Sequence, residues 1–206
     1  AFLSLAEVEI FSPTEAEVTT DLSIVWNTTT DALNAGLSYT LAYSENGSAA
    51  LINDTITLSD DDDTHLDRAK VSITNSSFVS GDVLAFTGQA GITGSYNAGN
   101  GVLTLTGSAT LAQYQDALRT VTYQSSSQDP TANNTQTSRS ISWEVTDVNS
   151  DAASNGAQTS QTVSSVINIT VDNDAPVVNV ASSFAYTEGD TAIAIGSGIT
   201  LSDDDD

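Results

Sequence analysis

The sequence predicts an all-β fold: an antiparallel β-sandwich with one short helix, set in a tandem array. Three observations carry this. Apolar and polar residues alternate with a period of two in many short stretches. Only one stretch has helical spacing. The run that begins at Ile56 recurs, identical, at Ile199.

The strands read as follows. Ile56 and Leu58 alternate with Thr55, Thr57 and Ser59. Val71 and Ile73 alternate with Lys70, Ser72 and Thr74, and Leu103 and Leu105 alternate with threonines. Ile141, Trp143 and Val145 alternate with Ser142, Glu144 and Thr146. Ile167, Ile169 and Val171 alternate with Asn168 and Thr170. Each stretch implies one buried and one wet face, as in an antiparallel sheet. Asn100-Gly101 lies between two strand-like runs, and Asn-Gly is a strong hairpin signal. The helix begins at Thr110, with Gln113 completing a capping box and Tyr114, Ala117 and Leu118 at helical spacing. Val121-Thr-Tyr123 resumes a strand. At least seven short strands with one small helix read as a sandwich of immunoglobulin-like or cadherin-like type.

The repeat sets the domain organisation. Ile56–Asp63 reads ITLSDDDD, and Ile199–Asp206 reads the same. The same offset, without a gap, maps Tyr43 to Tyr186, Glu45 to Glu188, Ile52 to Ile195 and Leu58 to Leu201. Internal self-similarity of this kind marks repeat architectures. Residues 37–174 are expected to form one full sandwich repeat, and 175–206 the first strands of the next. Residues 1–36 do not match the repeat. Val8 alternates with Ile10, and Leu22, Ile24 and Trp26 alternate as well. They read as the end of a preceding module, or as terminal strands that complete a neighbour's sheet.

Composition narrows the function. The 206 residues hold 27 Asp plus Glu against four Lys plus Arg, a formal net charge of −23. Four scattered cations cannot make a nucleic-acid footprint. There is no cysteine, hence no disulfide, thiol nucleophile or cysteine-ligated metal. No apolar run approaches the ~18 residues of a membrane span, so this segment is not expected to insert in a bilayer. At 39% apolar residues the chain is rich enough to fold, so the acidity is not that of a disordered tail. The acidity is also clustered: Asp outnumbers Glu by 20 to 7, and eight Asp sit in two identical runs. The absence of Met points to a processed product or a section of a longer chain.

Several segments together resemble the cadherin-like repeats of large bacterial calcium-dependent surface proteins and adhesins. Val171-Asp-Asn-Asp-Ala-Pro176 is similar to the acidic linker between such repeats. Glu188 follows twelve residues after Pro176, near where these domains place a calcium-binding Glu. Trp143-Glu-Val-Thr-Asp147 resembles the penultimate strand and its acidic loop. Gly91-Ile-Thr-Gly-Ser-Tyr96, Gly101-Val-Leu-Thr-Leu-Thr-Gly107 and Tyr114-Gln-Asp-Ala-Leu-Arg-Thr-Val-Thr-Tyr123 extend the likeness. The Asp60–Asp63 run is longer than cadherin patterns require. The glycine-rich nonapeptide of toxin-type β-rolls is absent.

The resemblance implies calcium. Calcium takes six to eight hard oxygens at about 2.3–2.6 Å, and Asp is short enough for several to converge. Without a cation, carboxylates ~4 Å apart repel by about 1 kcal/mol per pair even in water. Two clusters are expected. One is the linker, with Asp172, Asn173 and Asp174, around which Glu188 and the Asp147, Asn149 and Asp151 loop are expected to close. The other is the run Asp60, Asp61, Asp62 and Asp63, aided by Asp67, with its copy Asp203, Asp204, Asp205 and Asp206. Glu45 is the first-repeat equivalent of Glu188. Against both stands a plain reading as solvated acidic loops or adaptation to high salt.

The remaining motifs are weaker. His65 reads as an exposed loop residue, and Trp26 and Trp143 as core. Arg68, Lys70, Arg119 and Arg139 are expected to pair with carboxylates. The glycines from Gly91 to Gly101 lack the Lys-Ser/Thr of a phosphate loop. Carboxylates lie in turns and linkers rather than in a cleft, so no catalytic residues are expected. The leading expectation is a structural repeat of an extracellular or cell-surface adhesin or filament, stiffened by Ca2+ and contacting neighbouring repeats. A carbohydrate-binding module that takes glycans on an aromatic face, and a fibre subunit that polymerises by donor-strand exchange, stay open beside it.

Overall fold

The computed structural model describes residues 39–60, 63–89, 91–149, 156–180, 183–196 and 198–203, together with the backbone of 32–34. The expected strands at Val8, Ile10, Leu22, Ile24 and Trp26 lie outside these residues.

The chain opens with β1 (Ala32–Asn34), β2 (Thr40–Ser44), β3 (Ala50–Leu51) and β4 (Thr57–Ser59). It continues with β5 (His65–Ile73), β6 (Asp82–Ala85), β7 (Thr93–Asn97) and β8 (Val102–Thr110). Helix α1 (Leu111–Arg119) follows, then β9 (Thr122–Ser125), β10 (Ser138–Asp147) and β11 (Val163–Thr170). Two short strands close the sequence, β12 (Val177–Asn179) and β13 (Thr200–Ser202). The fold is the expected all-β sandwich with one short helix.

One layer is a six-stranded sheet in the order β2-β11-β10-β5-β8-β7, and a three-stranded sheet, β3-β9-β6, forms another. The long strands follow their sequence alternation. In β10, Arg139, Ile141, Trp143 and Val145 point inward, and Ser140, Ser142 and Glu144 are only half-buried. The core gathers Trp143, Tyr123, Tyr114, Ile141, Leu105 and Ile73, all essentially without solvent contact. Burying side chains of this size stabilises by roughly 1.5–3 kcal/mol each. Trp143 satisfies its one donor by giving its indole N–H to Ser165 Oγ at 3.1 Å.

The capping box is present as read. Thr110 Oγ1 accepts the Gln113 N–H at 3.3 Å, and the Gln113 side chain accepts the Thr110 N–H at 3.0 Å. Tyr114, Ala117 and Leu118 form the buried face of α1. The Asn100-Gly101 hairpin is also present, with Asn97 paired to Val102 and Gly101 at φ 69°, a left-handed turn position.

Three features depart from the sequence reading. The pairing of β11 with β2 is parallel, Val166 to Thr40 through Thr170 to Ser44. Within the segment 1–36 that the repeat does not match, β1 pairs with β4, Leu33 opposite Leu58. His65 is half-buried at the start of β5, its Nδ1 at 2.9 Å from Thr64 Oγ1, rather than exposed in a loop.

Parts of the recurring sequence take a similar local form twice. β12 pairs with β13 antiparallel, Val178 opposite Leu201 and Val177 opposite Ser202. β1 likewise pairs antiparallel with β4, Leu33 opposite Leu58, but the offset that carries Leu58 to Leu201 carries Leu33 to Pro176, so the partner strand stands two residues further along in the second copy. Tyr43 donates its hydroxyl to Gly47 O at 2.8 Å, and Tyr186 donates to Asp190 O at 3.1 Å. Donor and acceptor are both related by the offset that carries Ile56 to Ile199.

Candidate metal centre

The sandwich has two acidic ends. β4 runs toward the first and β5 leaves it, so the Asp60–Asp63 turn lies there. β10 is antiparallel to β5, with Asp147 opposite Leu66, and so ends at the same place. Asp60, Asp63 and Asp147 each offer a carboxylate oxygen, and these oxygens lie within 4.8 Å of one another. Asp63 and Asp147 are buried and Asp60 is half-buried.

Local structure sets this geometry. Asp60 Oδ1 accepts the Asp63 N–H at 3.1 Å, which holds these two residues together. Asp147 Oδ1 accepts the N–H of Gln158 at 2.9 Å and of Asn149 at 3.1 Å. Asn149 is left-handed, at φ 52°. Strand register slips at Thr146/Asp147 and at Leu66/Arg68, so two irregularities flank the cluster. Bulges of this kind re-aim side chains next to sites. The second is held by the Tyr114 hydroxyl, 2.8 Å from both Asp67 O and Gly107 O.

The electrostatics match the geometry. Burial raises the Asp147 pKa above the usual carboxylate value, and the charges of Asp63 and Asp60 add to it. The N–H groups of Gln158 and Asn149 pull the other way. A cation would reverse the penalty.

The fit to calcium follows from size and donor type. Two oxygens on opposite sides of an ion bound at about 2.4 Å are about 4.8 Å apart, so the three carboxylates suit one coordination sphere. They offer only hard oxygen, with scope for bidentate binding, and leave room for carbonyl and water ligands.

At the opposite end lies the linker. Glu45, buried, accepts the Asp172 N–H through Oε2 at 3.0 Å. Its own N–H bonds Thr170 O at 2.8 Å, continuing the parallel ladder. Asp174 is half-buried, and Asp172 and Asn173 are exposed. The Asn173 side chain donates to Asp174 O at 2.8 Å.

The expected residues therefore assort differently from the sequence reading. Asp147 joins the Asp60–Asp63 turn, not the linker. The eight residues of β11 separate the two ends by about 26 Å at ~3.3 Å per residue. The linker meets Glu45, whereas Glu188, its repeat partner, is exposed. Asp67 is exposed, and it is its carbonyl that is engaged. Asp203 is half-buried just after β13. Asp61, Asp62, Asp151, Asp204, Asp205 and Asp206 lie outside the described residues.

Of the cations, Lys70 pairs with Glu144 at 2.9 Å and Arg139 with Asp82 at 2.6 Å. Arg119 instead gives its Nε–H to Ile56 O at 2.8 Å. The importance of Asp82 was missed from sequence. The signal was strand parity, which puts Arg139 inward with Trp143 and so demands a buried partner.

No protein-family model, curated protein or solved structure matches the chain.

Proposed function

We propose that the chain is a structural repeat, with the opening of a second, of a secreted or cell-surface protein that calcium stiffens into an adhesin stalk or extracellular filament. The observation that carries this reading is the convergence of Asp60, Asp63 and Asp147 within 4.8 Å at the end where the chain enters the sandwich. Two of the three belong to the Asp run that recurs at Asp203–Asp206, so the same carboxylates are available once per repeat. The linker carboxylates of Asp172 and Asp174 leave the opposite end.

The mechanical consequence is local. A bound calcium ion supplies positive charge and many-oxygen coordination. Asp60 and Asp63 tie the β4–β5 turn to it, and Asp147 ties the end of β10. Two sheet positions that otherwise repel become one rigid end. Glu45 meanwhile holds the first residue of the linker against the other end.

The test is thermal melting in millimolar calcium and in chelator. At a calcium concentration a hundredfold above Kd the folded state gains about 2.7 kcal/mol. That is a rise of several degrees for a unit of this size. An unchanged melting temperature sinks the reading. Magnesium, which demands a tight octahedral shell, is expected to give a smaller rise.

A further inference from the structure

We propose that residues 177–180, 183–196 and 198–203 present a docking element for a β-sandwich body of the kind built by β5–β11, one that carries no opening strands of its own. Nine of the eleven large hydrophobic side chains exposed among the described residues lie between Val177 and Leu201. Phe184, Tyr186, Ala192, Ile193 and Ile195 line an open apolar hollow of about 420 Å³. A surface this apolar marks an interaction site.

The first repeat states what covers it. Tyr43, Ile52 and Ile56 are 3%, 0% and 0% exposed, and their equivalents Tyr186, Ile195 and Ile199 are 61%, 69% and 50% exposed. The tyrosine hydrogen bond is the same in both copies, so the turn that presents this face has one form with or without a covering body. In the first copy this face is covered by the body that follows it. In the second, the face continues an interface established in the first.

That interface also specifies the partner's chemistry. Tyr123 stands edge-on to Tyr43, ring centres 4.9 Å apart. Val121 O accepts the Ile52 N–H at 3.0 Å. Arg119 reaches Ile56 O, and Gln115 accepts the Leu58 N–H at 3.0 Å. The occupant therefore presents an aromatic ring opposite Tyr186, a guanidinium for Ile199 O and an amide oxygen for the Leu201 N–H. A second intact copy is the wrong occupant. Its seat is filled by its own β2–β4 segment, and displacing that segment exposes as much apolar surface as docking buries.

The proposal rests on the repeat reading but not on calcium, and the test separates the two. The full chain is extended at Asp206 by a second copy of Thr64–Asp174, since Asp206 stands where Asp63 stands. Hydrogen exchange is followed at Ile195, Ile199 and Leu201, with calcium and with chelator. The extended protein is expected to protect these amides about 100-fold more than the 206-residue chain in both conditions. An Ile195→Asp change in the extended protein is expected to remove that protection while the first repeat still melts normally. Equal exchange in the two proteins overturns the proposal, whether or not the added body gains strand signal. So does protection confined to calcium, or a dimer of the 206-residue chain that already protects these amides. Loss of the calcium effect on melting, with protection retained, sinks the metal reading alone.

Discussion

Glu45 accepts the backbone N–H of Asp172 at 3.0 Å, joining residues 127 apart in sequence. The bond fixes the first residue of the linker to the end of the sandwich that the chain leaves. Glu45→Ala is expected to cost about 1–3 kcal/mol, because a hydrogen bond to a charged acceptor is lost. Glu45→Gln keeps an acceptor oxygen and is expected to cost less. Denaturant melts rank the two, and the Asp172 amide is expected to exchange faster in the alanine variant only.

Arg139 and Asp82 form an ion pair with both side chains fully buried. Asp82 Oδ1 also accepts the Tyr123 hydroxyl at 2.6 Å, and the Arg139 guanidinium donates to Pro130 O and Gln136 O. Removing one charge strands the other, at a cost of about 3–5 kcal/mol. Arg139→Met and Asp82→Leu are each expected to be that destabilising in equilibrium unfolding. The double variant is expected to lose less than the sum.

Tyr114 gives an alkaline prediction. Burial first, then the charge of Asp67, pushes its pKa up to about 12 from 10.0. The unfolded chain then releases this proton before the folded protein does. The stability that Tyr114 contributes is whole below pH 10, and is lost as pH rises from there through about 12. Tyr114→Phe is expected to flatten the fall in stability across that window, measured by urea unfolding against pH.

Asp147 is shifted in the same direction, but its charged form is already present at neutral pH. Its raised pKa means that the charged form is penalised in the folded state, so protonation stabilises. In chelator, lowering the pH from neutral through the raised folded-state pKa is expected to gain stability at this residue. Asp147→Asn is expected to melt no lower than the parent protein in chelator, and to lose the calcium-dependent rise. A variant that melts lower in chelator yet keeps the full calcium rise counts against the cluster as a binding site.

Gly107 sits at φ 133°, and a Cβ there would run into Gly91 O. Gly107→Ala is expected to destabilise by about 1–3 kcal/mol, from a strained backbone conformation. A Cβ at Gly88 meets nothing within 4 Å, so Gly88→Ala is expected to be close to neutral in the same assay.

Much of the fold was legible because its signals are local. Alternation in β5, β8, β10 and β11, the capping box at Thr110 and the Asn100-Gly101 turn each depend on neighbours a few residues away. The parallel seating of β2 against β11 was not legible, because Tyr43 and Ile169 meet only after the whole sandwich has formed. The candidate site divides the same way. The Asp60–Asp63 run declared itself by repetition. The assignment of Asp147 to that run, rather than to the linker, depended on which end of the sheet β10 reaches.

The sequence by itself determined the strands, the helix, the recurrence of Ile56–Asp63 at Ile199–Asp206 and the acidic segments. Periodicity, capping and identity are properties of short stretches of chain. Tertiary structure alone decided which carboxylates share an end, that Glu45 and not Glu188 meets the linker, and that Arg139 is buried against Asp82. Those depend on strand order and register, which long-range packing selects from many pairings that the local pattern permits equally.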